Sequence, residues 1–324
     1  MAKILIITSK ADKHADYIVN KFTEREISFA RFDTELFPGS LKITYDNRSG
    51  KSLFKTNDRD SNLFFHSDEI TSIWHRKPVL SVYPSITDHN YQMFTKRETE
   101  TFLNNMYVCM ADNKWINYPY NNRIADNKLL QLQTAKEIGF NVPDTIVTND
   151  YKEVVQFVKK HDPKKIVYKT ISHPFISETK ESFKSVFTSV IDLSPKLSNS
   201  IALAPCLFQE YIEKAYEIRI TVIQNQVFAA RIFSQDHLST KIDWRRDQPK
   251  VQLRHEIEKM DTILEQSCIK LVKKLSLIFG TIDIIVTPAG QYVFLEINPN
   301  GQWLWIELML GIKISNALID ALIS

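Results

Sequence analysis

Apolar runs of strand length alternate with helically spaced segments from the first residues of the chain. Residues 3–9 (KILIITS) form one such run. In residues 11–26, Ala15, Ile18, Val19 and Phe22 recur on one helix face, and residues 27–33 (ISFARFD) return to strand character. This order predicts a βα unit of a parallel sheet. Residues 41–46 and 52–56 flank Asn47–Gly50 and predict a hairpin. Residues 69–78 (EITSIWHRKP) read as a further strand closed by Pro78. A helical segment follows from about Asn90 to Ala111, then residues 114–120 (KWINYPY). The pattern predicts a small α/β domain over residues 1–118.

A second unit, residues 119–204, opens with a helix from about Asp126. It carries Leu129, Leu130, Leu132 and Ile138 and stops at Gly139. A strand (TIVTN), a helix (YKEVVQFVKKH) and a strand (KIVYKTI) follow. Residues 172–200 are polar and weakly periodic, with a strand around SVFTSVI between loops suited to a lid. The third unit, residues 205–324, starts with LFQEYI and a hairpin turning at Gln224–Asn225. The polar segment 234–251 leads into one long amphipathic helix ending at Gly280. A hairpin around Pro288–Ala289–Gly290 and a terminal helix (NALIDALIS) complete it.

Composition narrows the function. Apolar residues make up 44% of the 324, charged residues 24%, and the net charge is +3. This balance does not suggest a nucleic-acid binder. With only 7 glycines, and neither GxxxxGK[ST] nor GxGxxG, a glycine-dense phosphate loop is not expected. Cys109, Cys206 and Cys268 are widely spaced and read as reduced thiols. The N-terminus reads as a first strand, not a signal peptide, and no window is apolar enough to span a membrane. The expectation is a soluble, cytoplasmic protein.

Three constellations carry chemistry. Asp283 lies on one strand of the last hairpin; Glu296 and Asn298 lie on its partner, two residues apart and so on one face. Asp283 falls roughly opposite Glu296. Three oxygen donors amid apolar strands suit Mg²⁺, because charges there need a partner or a metal. Lys128, in the first turn of a helix, and Lys169, at an apolar strand, each read alone as surface lysines. Together they are candidates to hold nucleotide phosphates. Residues 208–219 (FQEYIEKAYEIR) could offer backbone groups to an adenine edge and a carboxylate to a ribose, or form an ordinary solvated strand and loop. His75 and His173 read as ordinary polar residues.

The order Lys128, Lys169, QEYIE, EIR, Asp283, EINPNG resembles the ATP-grasp superfamily from about Asn117 to the C-terminus. The N-terminal unit resembles the domain that precedes it. Within the superfamily, SIWHRKP (72–78), DWRR (243–246) and NPNGQWLWIE (298–307) resemble the microviridin-type peptide ligases, or graspetide synthetases. The resemblance implies an α/β pre-ATP-grasp domain followed by two α+β subdomains with the nucleotide between them. It implies that Lys128 and Lys169 hold ATP phosphates and that Gln209, Glu210, Tyr211 and Ile212 line the adenine, with Glu217 on the ribose. Asp283, Glu296 and Asn298 would hold Mg²⁺, with Glu296 bridging two ions. Arg219 and Arg231 would neutralise the transferred phosphoryl group. One departure stands out: residues 170–185 contain no glycine, where many ATP-grasp enzymes close a Gly-rich loop over the phosphates.

The implied reaction is ATP-dependent activation of Asp or Glu side chains in a ribosomal precursor peptide, condensed with Ser/Thr hydroxyls or Lys amines into crosslinks. Asp243, Arg245 and Arg246 are expected to contact a carboxylate-bearing substrate, the Arg forks binding carboxylates bidentately. The other reading of this segment is a solvated loop. Trp74 and Arg76 are expected either in that role or as core and interdomain residues. The tryptophans after Gly301 read as packing that fixes the metal-bearing strand, and Gly301 as a source of turn freedom. A homodimer is implied by the family alone. A ligase of free amino acids or dipeptides, and a non-catalytic ATP-binding protein, are the competing readings. The intact set of Lys128, Lys169, Asp283, Glu296 and Asn298 argues against the second.

Overall fold

The computed structural model describes residues 3–56, 63–80, 83, 85–161, 165–172, 175–177, 183–247 and 250–324. Among them, strands Phe29–Asp33, Lys3–Thr8, Ile70–His75 and Lys114–Ile116 form a parallel sheet in that order. Helix Lys13–Glu24 covers one face through Ala15, Ile18 and Phe22. Helix His89–Cys109 covers the other through Leu103, Met106 and Tyr107. Both faces are covered, so the central strand Lys3–Thr8 is buried at every position after Lys3, while the flanking strand Phe29–Asp33 alternates. The hairpin at 47–50 forms and gains a third strand, Phe64–His66, with no counterpart in the sequence pattern.

The central sheet is antiparallel, in the order Ser189–Ile191, Ile166–Lys169, Cys206–Glu210, Thr145–Thr148. Strand Cys206–Glu210, expected to open the third unit, thus lies inside the second unit's sheet. The third sheet is also antiparallel: His255–Ile257, Gln226–Ile232, Tyr216–Ile223, Phe279–Val286, Tyr292–Asn298. Helices Lys128–Ile138 and Thr262–Lys274 bury one of its faces. The long helix expected up to Gly280 is therefore shorter at both ends. Residues 255–257 pair with Ile232 to Ala230, and Asp261 caps the helix by accepting from Leu264 N at 2.7 Å. Ser276 at φ 56° turns the chain into the next strand.

The first and third units share one core. Ile4, Ile6 and Phe22 pack with Trp303, Leu318 and Leu322 of the C-terminal segment. Buried Asn117 joins the units with four hydrogen bonds. Its Nδ2 donates to Phe279 O at 2.8 Å and Pro299 O at 3.1 Å, and its Oδ1 accepts from Ile278 N at 2.8 Å and Phe279 N at 2.9 Å. A fully satisfied buried amide fixes register where apolar contact alone would let elements slide. Among the described residues, no helix is long and apolar enough to cross a membrane.

Candidate active site

A cavity of ≈ 950 Å³ opens between the central and third sheets. Its third-sheet wall is built by register. Arg219 pairs with Asp283, and Asp283 with Glu296. A β-bulge then leaves Leu295 unpaired, because Ile284 faces Phe294. The bulge decides the chemistry. Strict alternation would place Phe294 and Glu296 on one face; instead Phe294 is buried with Ile282, Ile284 and Ile297, while Glu296 lines the cavity. The strand is held at that point by Gln131. Its Nε2 donates to Ile297 O at 2.8 Å and its Oε1 accepts from Ile297 N at 3.1 Å.

Cations surround these carboxylates. Arg219 Nη1 donates to both oxygens of Asp283, at 3.0 and 2.8 Å. Burial pushes the Asp283 carboxyl up, with Arg219 opposing it. Glu296 is held down against the effect of burial by Lys128 and Lys169. Lys128 lies 3.5 Å from the Glu296 carboxylate and donates to Thr170 O at 2.8 Å. Burial lowers Lys169, with Glu296 opposing. Lys128 sits on the first turn because Asn127 caps the helix, accepting from Leu129 N and Leu130 N.

Among the described residues, no cluster of three or more His, Cys, Asp or Glu side chains is arranged to hold a metal. A Mg²⁺ site here therefore needs the Asn298 amide as its third donor. Its Oδ1 accepts from Asn300 N at 2.9 Å and keeps a second lone pair. Two carboxylates and an amide oxygen fit a hard cation, and the Arg219 guanidinium against Asp283 shows a positive charge already stabilised there.

The model of the RimK-like ATP-grasp domain matches residues 125–322, and that of the MvdD pre-ATP grasp domain matches residues 3–123. The chain belongs to the RimK-like ATP-grasp family. Solved structures agree over its whole length. The macrocyclase MdnC from Microcystis aeruginosa MRC, bound with precursor peptide MdnA, shares 26% identity at a TM-score of 0.85, over 100% of this chain and 99% of that one. A RiPP-associated ATP-grasp ligase from Chryseobacterium gregarium, in complex with ADP and a leader and core peptide, shares 27% identity at 0.90, over 99% and 96%. Macrocyclase MdnB, also from M. aeruginosa MRC, shares 25% at 0.79, over 99% of each chain. No curated protein matches. The resemblance to ATP-grasp peptide ligases and the expected fold are thus borne out: the protein is an ATP-grasp ligase.

Within this ATP-grasp cavity the structure gathers Lys128, Lys169, residues 209–212, Glu217, Arg219, Asp243, Arg245, Asp283, Glu296 and Asn298. The N–H groups of Glu210 and Tyr211 are taken by the carbonyls of Asp144 and Lys165, at 3.0 and 3.1 Å. Glu217 is not an open carboxylate. It is buried and accepts from Lys214 Nζ at 2.7 Å, a lysine the sequence reading passed over. Burial pushes Glu217 up and Lys214 opposes it.

Four expected site residues lie elsewhere. Arg231 pairs with Ile218, not Arg219, so it projects from the opposite face of the sheet. There its Nε meets buried Glu258 at 2.5 Å and its guanidinium stacks 4.2 Å from the Tyr216 ring. The signal was available: a two-residue turn at Gln224–Asn225 pairs Ile223 with Gln226 and carries Arg231 to the wrong face. Accordingly, Arg231→Gln should keep ADP formation within about twofold of wild type while lowering thermal stability. Arg219→Gln should lose on the order of 100-fold in a coupled ADP assay. Arg246 donates to Thr188 O at 3.2 Å and Ser189 Oγ at 3.1 Å, pinning one loop to another. Trp74 is buried in the shared core. Arg76 is 2% exposed, 3.0 Å from Asp12 and 3.2 Å from Gly301 O, so it anchors the turn that follows strand Tyr292–Asn298. The interdomain reading holds for both.

The two tryptophans have different jobs. Trp303 is buried edge-on to His14 and Tyr17, at 5.2 and 6.5 Å. Trp305 lines the cavity with Trp244 and His255, at 5.7 and 5.0 Å. Packing explains the first alone. Glu307 accepts from Ser315 N at 2.6 Å and Tyr17 Oη at 3.0 Å, tying the last helix to the first. Gly301 is required by space rather than by turn freedom: a Cβ there would stand 1.2 Å from Thr281 Oγ1. His75 is a core residue between Tyr107 and Trp115, pushed by burial to about 4. His173 lies outside the described residues, as does part of the expected 172–200 lid.

Proposed function

We propose that this ligase phosphorylates an Asp or Glu side chain of a ribosomally made precursor peptide and condenses it with a Ser/Thr hydroxyl or a Lys amine, closing a macrocycle. The observation that carries this reading is the full-length likeness to a ligase complexed with ADP and a leader and core peptide. A peptide carboxylate attacks the γ-phosphorus, and the bond to the β–γ bridging oxygen breaks, releasing ADP. The hydroxyl or amine then attacks the acyl carbon, releasing phosphate and a proton. Lys128 and Lys169 hold the phosphates, residues 209–212 line the base, and Lys214 orients Glu217 towards the ribose. Arg219 stabilises charge on the transferred phosphoryl group. Asp283, Glu296 and Asn298 would hold Mg²⁺, which when bound neutralises triphosphate oxygens.

Arg245 is the substrate-facing member of the 243–246 segment. Asp243 accepts from its Nε at 2.9 Å and its Nη2 at 2.8 Å, and so positions the fork rather than touching substrate. Against the effect of burial, that pair lowers Asp243 to about 2. Its folded value is below the ordinary 3.8, so it contributes stability above that pH. This contribution should fade as pH falls towards 2. Thermal melts of wild type and Asp243→Asn from pH 7 to 2 should therefore converge at the acid end.

The reading is tested on a short acidic, Ser/Thr-rich peptide, sought among the reading frames that flank the gene. Incubation with ATP and Mg²⁺ should remove about 18 Da per crosslink by mass spectrometry, one water per condensation. ADP release on free amino acids with no mass change in the peptide would overturn it. Three free cysteines support a reducing, cytoplasmic setting, and a homodimer is the expected assembly, checked by light scattering in solution.

A further inference from the structure

Lys77 is a cation on the cavity wall that comes from the first unit, not from either ATP-grasp sheet. Its backbone is strained. At φ 44° it occupies the left-handed region that a lysine rarely adopts, and Pro78 follows it. Both neighbours in the fold explain how that conformation is imposed. Arg76 N donates to Ile7 O at 2.8 Å, and the Arg76 side chain is buried against Asp12 and the carbonyls of Asn300 and Gly301. Two residues on, Val79 N donates to Thr34 Oγ1 at 2.9 Å. The chain is clamped on each side, and the Lys77 side chain is delivered into the cavity beside Asn298 and Asn300.

Among the described residues Lys77 has no ion pair or hydrogen bond. The nearest candidate, Asp12, already accepts from Arg76 at 3.0 Å, Thr8 Oγ1 at 3.0 Å and His14 N at 3.0 Å. Burial lowers Lys77, as do Arg76 and Arg219, with Asp12 opposing them. Of the other cavity lysines and arginines, Lys128, Lys214, Arg219 and Arg245 are paired with Glu296, Glu217, Asp283 and Asp243, while Lys169 has no ion pair among the described residues and is assigned to the phosphates. An anionic peptide side chain approaching a triphosphate needs a countercharge that is not already spent. Strain of this kind persists where the surrounding structure over-determines it, and it clusters at functional sites.

Resting on the peptide-ligase reading, we infer that Lys77 binds the reacting side-chain carboxylate of the substrate peptide and is the contact that selects Asp or Glu over Asn or Gln. The first unit then contributes directly to the reaction, in addition to supporting the turn that carries Asn298.

The test is a double-substitution cycle on enzyme loaded with a non-hydrolysable ATP analogue, using the short acidic, Ser/Thr-rich peptide sought above and its copy with the reacting acid changed to the amide. Wild type should prefer the acidic peptide. Lys77→Met should lose that preference by on the order of tenfold or more, the scale of one charge-assisted hydrogen bond, and Lys77→Arg should restore most of it. With ATP, Lys77→Met should lower the rate of peptide-dependent ADP formation while ATP affinity stays unchanged. Lys77→Gly, which tolerates the positive φ, serves as a second variant if Met lowers the melting temperature. Unchanged discrimination in Lys77→Met, or weakened ATP binding with discrimination intact, would overturn the assignment. If wild type crosslinks the peptide and Lys77→Met matches it, only this inference fails. If wild type does not crosslink it, the ligase reading fails and takes this inference with it.

Discussion

Glu296→Gln should reduce ADP formation by on the order of 100- to 1,000-fold while peptide binding stays close to wild type. Glu296 is the carboxylate on which the cavity's charges converge: Lys128 lies 3.5 Å away, and Lys169 and Arg219 also hold it ionised. The amide keeps the shape but removes the charge, leaving two lysines facing each other with no anion between them. It also removes one of two carboxylate donors for a hard cation. Losing one preorganised electrostatic element of a phosphoryl-transfer site costs about 3–4 kcal/mol of transition-state stabilisation. Peptide affinity should survive because Arg245 and Lys77 lie on other walls. Isothermal titration with the peptide and a coupled ADP assay on the same protein separate the two effects. ADP formation within tenfold of wild type would remove Glu296 from the metal set.

Gly301→Ala should be the most damaging of the glycine-to-alanine changes, destabilising the protein by about 3 kcal/mol or more. The new Cβ would lie 1.2 Å from Thr281 Oγ1 and 2.4 Å from Thr281 Cβ. Thr281 cannot retreat: it is fully buried and its hydroxyl donates to Asn298 O at 3.1 Å. Relief must come from the turn itself, and that turn carries Asn298 and the carbonyls that hold Arg76. The substitution should therefore lose activity along with stability. Gly290→Ala is the comparison. Nothing stands within 4 Å of its Cβ position, so its cost is the φ of 80° alone, about 1 kcal/mol. Thr281→Gly should partly rescue Gly301→Ala, as read by denaturant melts. Equal stability for the two glycine variants would show that the turn, not the close approach, sets the requirement.

The candidate donor atoms of the site are legible in the chain. Asp283, Glu296 and Asn298 stand out because charges inside apolar strands demand a partner, and the structure brings all three to one cavity. Lys128 and Lys169 stand out by their order relative to those acids. Lys77, Lys214 and Gln131 do not, although Lys77 and Lys214 lie within segments 72–78 and 208–219, because local sequence does not say which polar side chain of a segment enters the cavity. Lys77 is set apart by its place on the cavity wall, where the contacts of Arg76 and Thr34 hold the chain on either side of it.

Which side each residue faces was settled by pairing. Local alternation would put Phe294 beside Glu296, and the bulge at Leu295 separates them. Two arginines on adjacent strands look equivalent until register places Arg219 on Asp283 and sends Arg231 to Glu258. Trp303 and Trp305 differ by two positions and end in a core and a cavity wall. Residue type and local spacing are properties of the chain, and they set the inventory of charges and ligands. Facing, burial and partner choice come from contacts between segments far apart in sequence, because a face exists only once another element has covered the opposite one.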